Sequence, residues 1–266
     1  MSSTIVTLNG SPSSTAVPEL LVVAVRRELL GARRDVFIDV PGKPGSYAFA
    51  EEPGDRFLRI EFDILGDSFE DRRDAVRRLA EWADTPSGTV PLAIDDEPGR
   101  YSEAMLTGGL AVEEWLVRGS GELEYRVGPY SLADVATTET IALSGSPDSA
   151  SFSAADEIIA YPIIELTPTN GTLTSFALDL NGDTVSWSGL VLDDQTVTIS
   201  SISVTITQGA NVDVNLTGTF NVEDLDMADA DGVFPLIVPG SNSLDLSWTG
   251  TATNVTVEIT WRRRYR

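Results

Sequence analysis

FPLIVPGSNSLDLSWTGTATNVTVEITWRRRYR, residues 234–266, sets the fold class of the carboxy-terminal half. A Pro239-Gly240 turn leads into a run in which Leu244, Leu246 and Trp248 alternate with polar residues. A second run alternates Val255, Val257, Ile259 and Trp261 in the same way. Successive side chains on a strand point to opposite faces, so each run has one buried face, and together they read as a hairpin. The run Arg262-Arg263-Arg264-Tyr265-Arg266 then reads as a solvated basic tag on the last strand.

The same period continues upstream. Val197 and Ile199, then Ile202, Val204 and Ile206, then Val212, Val214, Leu216 and Phe220 alternate with Thr, Ser, Asp or Asn. The phase slips between Ile199 and Ile202, which calls for a bulge or a turn. Short strands punctuated by Asn181-Gly182 and Gln208-Gly209 give a β-sandwich.

Composition changes near residue 135. Fourteen of the eighteen basic residues lie before it, mixed with acids, whereas Thr, Ser, Val, Asp and Gly dominate after it. Two domains follow, residues 1–135 and 138–266, with the boundary in the polar stretch Ala133 to Asp156. In the first, Leu58, Ile60, Phe62 and Ile64 alternate with Arg59, Glu61 and Asp63, a strand with one wet face. A helix is expected over about 68–84. Ser68 caps it with Asp71 three residues on, Ala75, Val76, Leu79, Trp82 and Ala83 share one face, and Pro86 closes it. Arg73 and Arg77 lie on its polar face. Arg72 falls within the apolar stripe, where its stem packs and its guanidinium either reaches water at the helix end or meets a neighbouring subunit. Arg72, Arg73 and Arg77 are therefore candidate subunit-interface residues. Leu110–Arg118 and Glu122–Val127 read as a hairpin turned by Gly119-Ser120-Gly121, burying Leu123, Tyr125 and Val127. Glu19–Leu30 has helix start and stop signals in Pro18 and Gly31, but its Leu and Val content favours a strand.

Several function classes are excluded by composition. The 266 residues contain no cysteine and no histidine, which removes disulfides, thiolate metal sites, cysteine nucleophiles and imidazole bases together. The longest apolar run, Leu20–Val25, falls far short of the roughly 20 residues that span a bilayer. The first eighteen residues lack the positive charge of a secretory signal, and the Asn-x-Thr triplets at Asn170, Asn215 and Asn254 read as strand and turn residues. The net charge is −23, and no lysine or arginine lies between Arg126 and Arg262. Such a segment repels nucleic acid and anionic membranes, and a chain whose one lysine is Lys43 also suits a high-salt medium.

Only oxygen chemistry remains. Asp224, Asp226, Asp229 and Asp231 with Gly232 read as a solvated acidic loop rather than a calcium site, because neither the glycine position nor a terminal glutamate fits an EF-hand. Asp179-Leu180-Asn181-Gly182-Asp183 fails the same test and is a hairpin turn first. Asp95, Asp96, Glu97, Asp193 and Asp194 supply carboxylates for a glycosidase, but their number signals nothing in a chain with forty-one acids. No glycine-rich phosphate loop opens a helix. The reading is of a protein that is not an enzyme, with no catalytic residue, cofactor or metal ion. Trp248 and Trp261 lie on the apolar phase of their strands. Trp187 is the least constrained tryptophan and the weak candidate for glycan contact.

Taken in order, the motifs resemble the distal tail proteins of long-tailed, siphovirus-like phages and archaeal tailed viruses. The pieces are Thr4–Gly10, Val40 to Tyr47 with Pro41, Gly42 and Gly45, the strand and helix from Phe57 to Trp82, and Asp95–Tyr101. Gly128-Pro129-Tyr130 follows, then Phe234 to Asn242 with Phe234, Pro235, Pro239, Gly240 and Asn242. Lys43 stands where the family commonly has Arg, and the arginine-rich close is stronger than the pattern. The resemblance implies a mainly β chain, with an amino-terminal α+β ring-forming domain and a carboxy-terminal galectin-like β-sandwich. Six copies would form a hub joining the tail tube protein to the tail-tip or baseplate hub protein and to receptor-binding or fibre proteins. DNA would pass through the lumen without specific binding, and the protein would insert in no membrane. It would lie in the virion at the distal end of the tail, assembled in the host cytoplasm. The alternative is a carbohydrate-binding viral adhesin or accessory tail protein.

Overall fold

The strand read from Leu58, Ile60, Phe62 and Ile64 is the best-paired strand of the amino-terminal sheet. The structure, a computed structural model, describes residues 4–39, 44, 46–86, 88–109, 111–114, 118–202, 205–208, 219–221 and 235–266. The chain divides into two compact units, Met1–Asp134 with Arg266, and Val135–Tyr265. It is mainly β, with two helices among the described residues.

The elements of the first unit are β1 (Val6–Leu8), β2 (Ser11–Pro12), α1 (Ser13–Ala16), β3 (Leu20–Arg27), β4 (Arg33–Asp39), β5 (Ser46–Pro53) and β6 (Arg56–Leu65). After these come α2 (Phe69–Ala83), β7 (Val90–Ile94), β8 (Arg100–Leu106), β9 (Val112–Glu114), β10 (Arg118–Val127) and β11 (Ser131–Ala133). The main sheet runs β2-β1-β7-β8-β10-β6-β3, with β9 on β10 and β11 on β8, while β4 and β5 pair with each other. The segment with mixed signals after Glu19 is strand β3, as its Leu and Val content favours. In α2 the Ser68 hydroxyl accepts the Asp71 backbone N–H at 3.1 Å, the expected cap. Ala75, Leu79 and Ala83 are buried against the sheet with Ile60, Phe62, Ile64, Leu123 and Tyr125. Trp82 and Val76 are half-buried at the margin of this core.

Gly119-Ser120-Gly121 does not turn the chain. It lies inside β10, with Gly119 opposite Glu114 and Gly121 opposite Val112, so the chain reverses before Arg118. The glycines are there for clearance: a Cβ on Gly121 would come within 2.7 Å of the Ala111 carbonyl and 2.8 Å of the Phe62 ring.

The second unit is built from β12 (Thr137–Ser144), β13 (Asp148–Ala154), β14 (Ile163–Thr169), β15 (Leu173–Leu180), β16 (Asp183–Val191), β17 (Val197–Ser200), β18 (Thr205–Gln208), β19 (Thr219–Asn221), β20 (Gly240–Gly250) and β21 (Asn254–Trp261). Two five-stranded sheets, β12-β21-β14-β17-β18 and β13-β20-β15-β16-β19, enclose one core. Asn181 and Gly182, at φ 60° and 98°, make the tight β15–β16 turn. The phase slip after Ile199 is the turn at Ser201 and Ile202 joining β17 to β18.

Residues 234–266 are not a hairpin. The alternation is as read, with Leu244, Leu246, Trp248, Val255, Val257, Ile259 and Trp261 all buried. However, β20 pairs with β13 and β15, whereas β21 pairs with β12 and β14 in the other sheet. Period-two burial says that a strand has an inward face; it does not distinguish a ladder neighbour from a strand facing it across a sandwich. Gly250, at φ 133°, makes the corner where the chain changes sheets, with Leu173 Cα 2.9 Å from where a Cβ would sit.

Candidate functional site

Two of the singled-out motifs converge at one end of the amino-terminal sheet. Asp95–Tyr101 links β7 to β8, and Gly128-Pro129-Tyr130 links β10 to β11. Between them, at the start of β6, lies Arg56, which is 8% exposed. It occupies the same phase as Leu58, Ile60 and Phe62, so the strand carries its side chain inward. Arg56 Nε donates to the Gly128 carbonyl at 3.1 Å and Nη2 to Ser131 Oγ at 3.4 Å. The Ser131 and Ser102 hydroxyls are 3.1 Å apart. Burial lowers the pKa of Arg56, and the negative charge of Glu97 offsets part of that effect. A pocket of about 90 Å3 opens here, its walls formed by Leu58, Leu92, Ile94 and Val127 and its polar lining including Arg56, Arg100 and Ser131. Sequence reading missed Arg56. The signal was its place on the apolar phase of β6.

The helix arginines separate. Arg73 and Arg77 are exposed, and Arg77 pairs with Asp74 at 2.8 Å across one helical turn, a surface pair of little energetic weight. Arg72 is 1% exposed, with its guanidinium carbon 4.8 Å from the Phe69 ring centroid. Its head group neither reaches water nor faces outward from the unit. As a surface candidate it drops out, because the apolar stripe that holds its stem encloses the whole side chain. Ion pairs across neighbouring strands include Arg59 with Glu124 at 2.6 Å, Arg26 with Glu61 at 2.6 Å, and Arg118 with the buried Asp63 through both carboxylate oxygens.

In the second unit the FPLIVPGSN motif is a fastening. Asn242, 1% exposed, accepts from the Val238 backbone N–H at 2.9 Å and from Asn181 Nδ2 at 2.8 Å. Its own Nδ2 donates to the Val238 and Gly240 carbonyls. Asn181 also donates to the Leu236 carbonyl at 2.9 Å, and Ser201 Oγ donates to the Pro235 carbonyl at 2.7 Å. The segment from Pro235 to Gly240 is thus tied to the β15–β16 turn by saturated amides. Pro239 and Gly240 are exposed at its end. Pro41, Gly42, Gly45 and Phe234 lie outside the described residues, as do Asp224, Asp226, Asp229 and Asp231.

Trp187 is more enclosed than its sequence suggested. It is 8% exposed and stacks on Phe176, its cross-strand partner, with ring centroids 5.7 Å apart; Trp248 flanks Phe176 on the other side. A depression of about 480 Å3 is lined by these three aromatics together with Ser175, Ala177, Ser186, Ser188, Ser247 and Thr249. Asp179 is engaged by its own turn, accepting from the Gly182 N–H and the Thr184 hydroxyl. Burial, and then the neighbouring Asp179 charge, raises the pKa of Asp183.

Residues 22–124, from β3 to near the end of β10, match the family model of the phage tail protein RIFT-related domain. The fold of the whole chain is similar to the crystal structure of the Dit protein of phage SPP1, at a TM-score of 0.70 and 14% identity over 100% of both chains. A looser likeness, TM-score 0.43 and 10% identity over 98% of each chain, is to a chain of the phage p2 baseplate in its activated conformation. No curated protein matches the sequence. The resemblance to distal tail proteins read from the motifs is borne out by the amino-terminal family match and the full-length fold.

Proposed function

We propose that this chain, with a match to a phage-tail domain in its first unit and the fold of a distal tail protein throughout, is a non-enzymatic structural component of a viral tail. Six copies close into a ring at the distal end of the tail tube. Residues 1–135 form the ring and tube adaptor, and residues 138–266 the outer galectin-like sandwich. The ring binds the tail tube protein on one face and the tail-tip or baseplate hub on the other, and carries receptor-binding or fibre proteins. The observation that carries this reading is the full-length likeness to SPP1 Dit, described as a paradigm of the hub adsorption apparatus in phages that infect Gram-positive bacteria.

Charge supports the reading. Six copies of a chain of charge −23 carry −138, and acids facing a lumen would repel DNA phosphates so that the genome slides rather than binds. To test the assignment, purified protein is added to tail tubes assembled from the tail tube protein of the same virus and imaged by electron microscopy. Six-fold rings at one tube end are expected; tubes left bare at saturating protein would contradict it.

The hydroxyl-lined depression on the second unit is the observation favouring the alternative, a carbohydrate-binding adhesin. A glycan array separates the two: the hub is inert, whereas an adhesin binds and loses binding when Ser186 and Ser188 are changed.

A further inference from the structure

The sequence holds three Asn-Gly pairs, Asn9-Gly10, Asn170-Gly171 and Asn181-Gly182, and each asparagine has a positive φ. An asparagine amide is least stable in this context. The backbone nitrogen of the next residue attacks the side-chain carbonyl carbon, and glycine has no side chain to hinder the ring that forms. The new N–Cγ bond replaces the Cγ–Nδ2 bond, Nδ2 leaves as ammonia with the proton of the backbone nitrogen, and water opens the succinimide to aspartate or isoaspartate.

The fold treats the pairs differently. Asn9 and Gly10 are exposed between β1 and β2, and Asn170 is exposed as well. Asn181 is half-buried and its amide is held on both sides. Its Nδ2 donates to the Leu236 carbonyl at 2.9 Å and to Asn242 Oδ1 at 2.8 Å, and its Oδ1 accepts the Ser243 N–H at 2.9 Å. The attacking atom is restrained too. The Gly182 N–H donates to Asp179 Oδ1 at 2.9 Å, and the carboxylate charge disfavours the loss of the proton that attack requires. Ring closure therefore needs the Asn181 amide to leave three partners together, a local opening of the fastening.

We propose that Asn181-Gly182 is a latent deamidation site guarded by Asn242, at which an opening of the fastening becomes irreversible. A carboxylate formed there faces two acceptors where the amide donated, the Leu236 carbonyl and Asn242 Oδ1, and the Asn242 amide is committed to the Val238 and Gly240 carbonyls. The turn already carries Asp179 and Asp183, so the added charge repels further. The segment from Pro235 to Gly240 then cannot refasten. Asn9-Gly10, with the same chemistry and no such enclosure, is the pair that ages in the folded protein. The proposal stands whatever the chain assembles with.

To test it, the full-length protein is incubated in warm, mildly alkaline buffer and digested with pepsin at acid pH, and conversion at each Asn-Gly pair is followed by mass spectrometry. In the folded protein Asn181 should convert about tenfold or more slowly than Asn9, and in denaturant the two rates should converge. Asn242→Ala should raise the Asn181 rate about tenfold, the effect of one hydrogen bond lost from the amide, and leave the Asn9 rate unchanged. Leu178→Ala separates a local guard from general stability, because it loosens the same unit through its core; it should raise the Asn181 rate less than Asn242→Ala does. Should Asn242→Ala fail to fold, the folded-to-denatured rate ratios of the unaltered chain at Asn9 and Asn181 decide. Equal rates at Asn9 and Asn181 in the folded protein, an Asn181 rate unmoved by Asn242→Ala, or a larger effect of Leu178→Ala would overturn the proposal.

Discussion

Among the described residues, the buried charged side chains of the first unit are Arg56, Asp63 and Arg72, whereas the second unit buries Asn242, Ser201 and one carboxylate, Asp156, which accepts from the Trp261 indole at 2.8 Å. The ion pairs described above all lie in the first unit. The second holds seventeen acids against three arginines over residues 135–265. Its sheets are held by an apolar interior and by neutral amide and hydroxyl contacts. The Thr and Ser pairs on β15 and β20 illustrate this, with the Thr174 and Thr249 hydroxyls 2.8 Å apart. One chain thus uses two ways of placing polar groups: paired charge in the first unit, and neutral hydrogen bonding in the sandwich. The second way leaves the surface acids uncompensated, so screening by salt matters more there.

The contrast predicts unequal responses to mutation. Leu178 is fully buried in the sandwich, and Leu178→Ala should cost about 3 kcal/mol. Calorimetry should show the loss in the melting of the second unit alone; an equal drop in the first would mean that the units do not unfold separately. Asn242→Ala strands the Val238 N–H and an Asn181 amide and should cost the same unit about 2 kcal/mol. A loss under about 0.5 kcal/mol would show that the Asn242 fastening is dispensable. Ser68→Ala removes the α2 cap and should cost the first unit about 1 kcal/mol, read from its denaturant midpoint.

The smallest effect is a pH slope. Because the folded state raises the pKa of Asp183, the native protein holds that proton more tightly than the unfolded chain. The associated stabilisation is present in full below the unfolded pKa and is lost as pH rises through the folded one. Asp183→Asn should flatten this slope and raise stability at pH 7 by about 0.3 kcal/mol, a modest value because the group is only partly buried. A slope that survives the substitution would assign it to other carboxylates.

Much of this was legible in the sequence. Strand β6, the capped helix α2 and the inward residues of β20 and β21 follow from periodicity, because burial on one face is a local property of each segment. Neighbour identity was not legible. The link from Thr249 to Asn254 reads equally well as a hairpin or as a crossing between sheets, and Gly119-Ser120-Gly121 has the composition of a turn while serving as clearance beside Phe62. Arg72 and Arg56 were harder still. A cation on an apolar phase reads by default as one that reaches water, and whether it does depends on side chains brought in from distant strands. The fastening role of Asn242 lay outside local pattern too, since Asn181, its partner, arrives from another hairpin.

Closure into a ring is tested most directly by the mass of the purified protein in multimolar salt, measured by light scattering. With acid repulsion screened, six copies of the 28.5 kDa chain are expected as a closed species. A monomer that persists under those conditions, or a closed assembly of any other copy number, would contradict it.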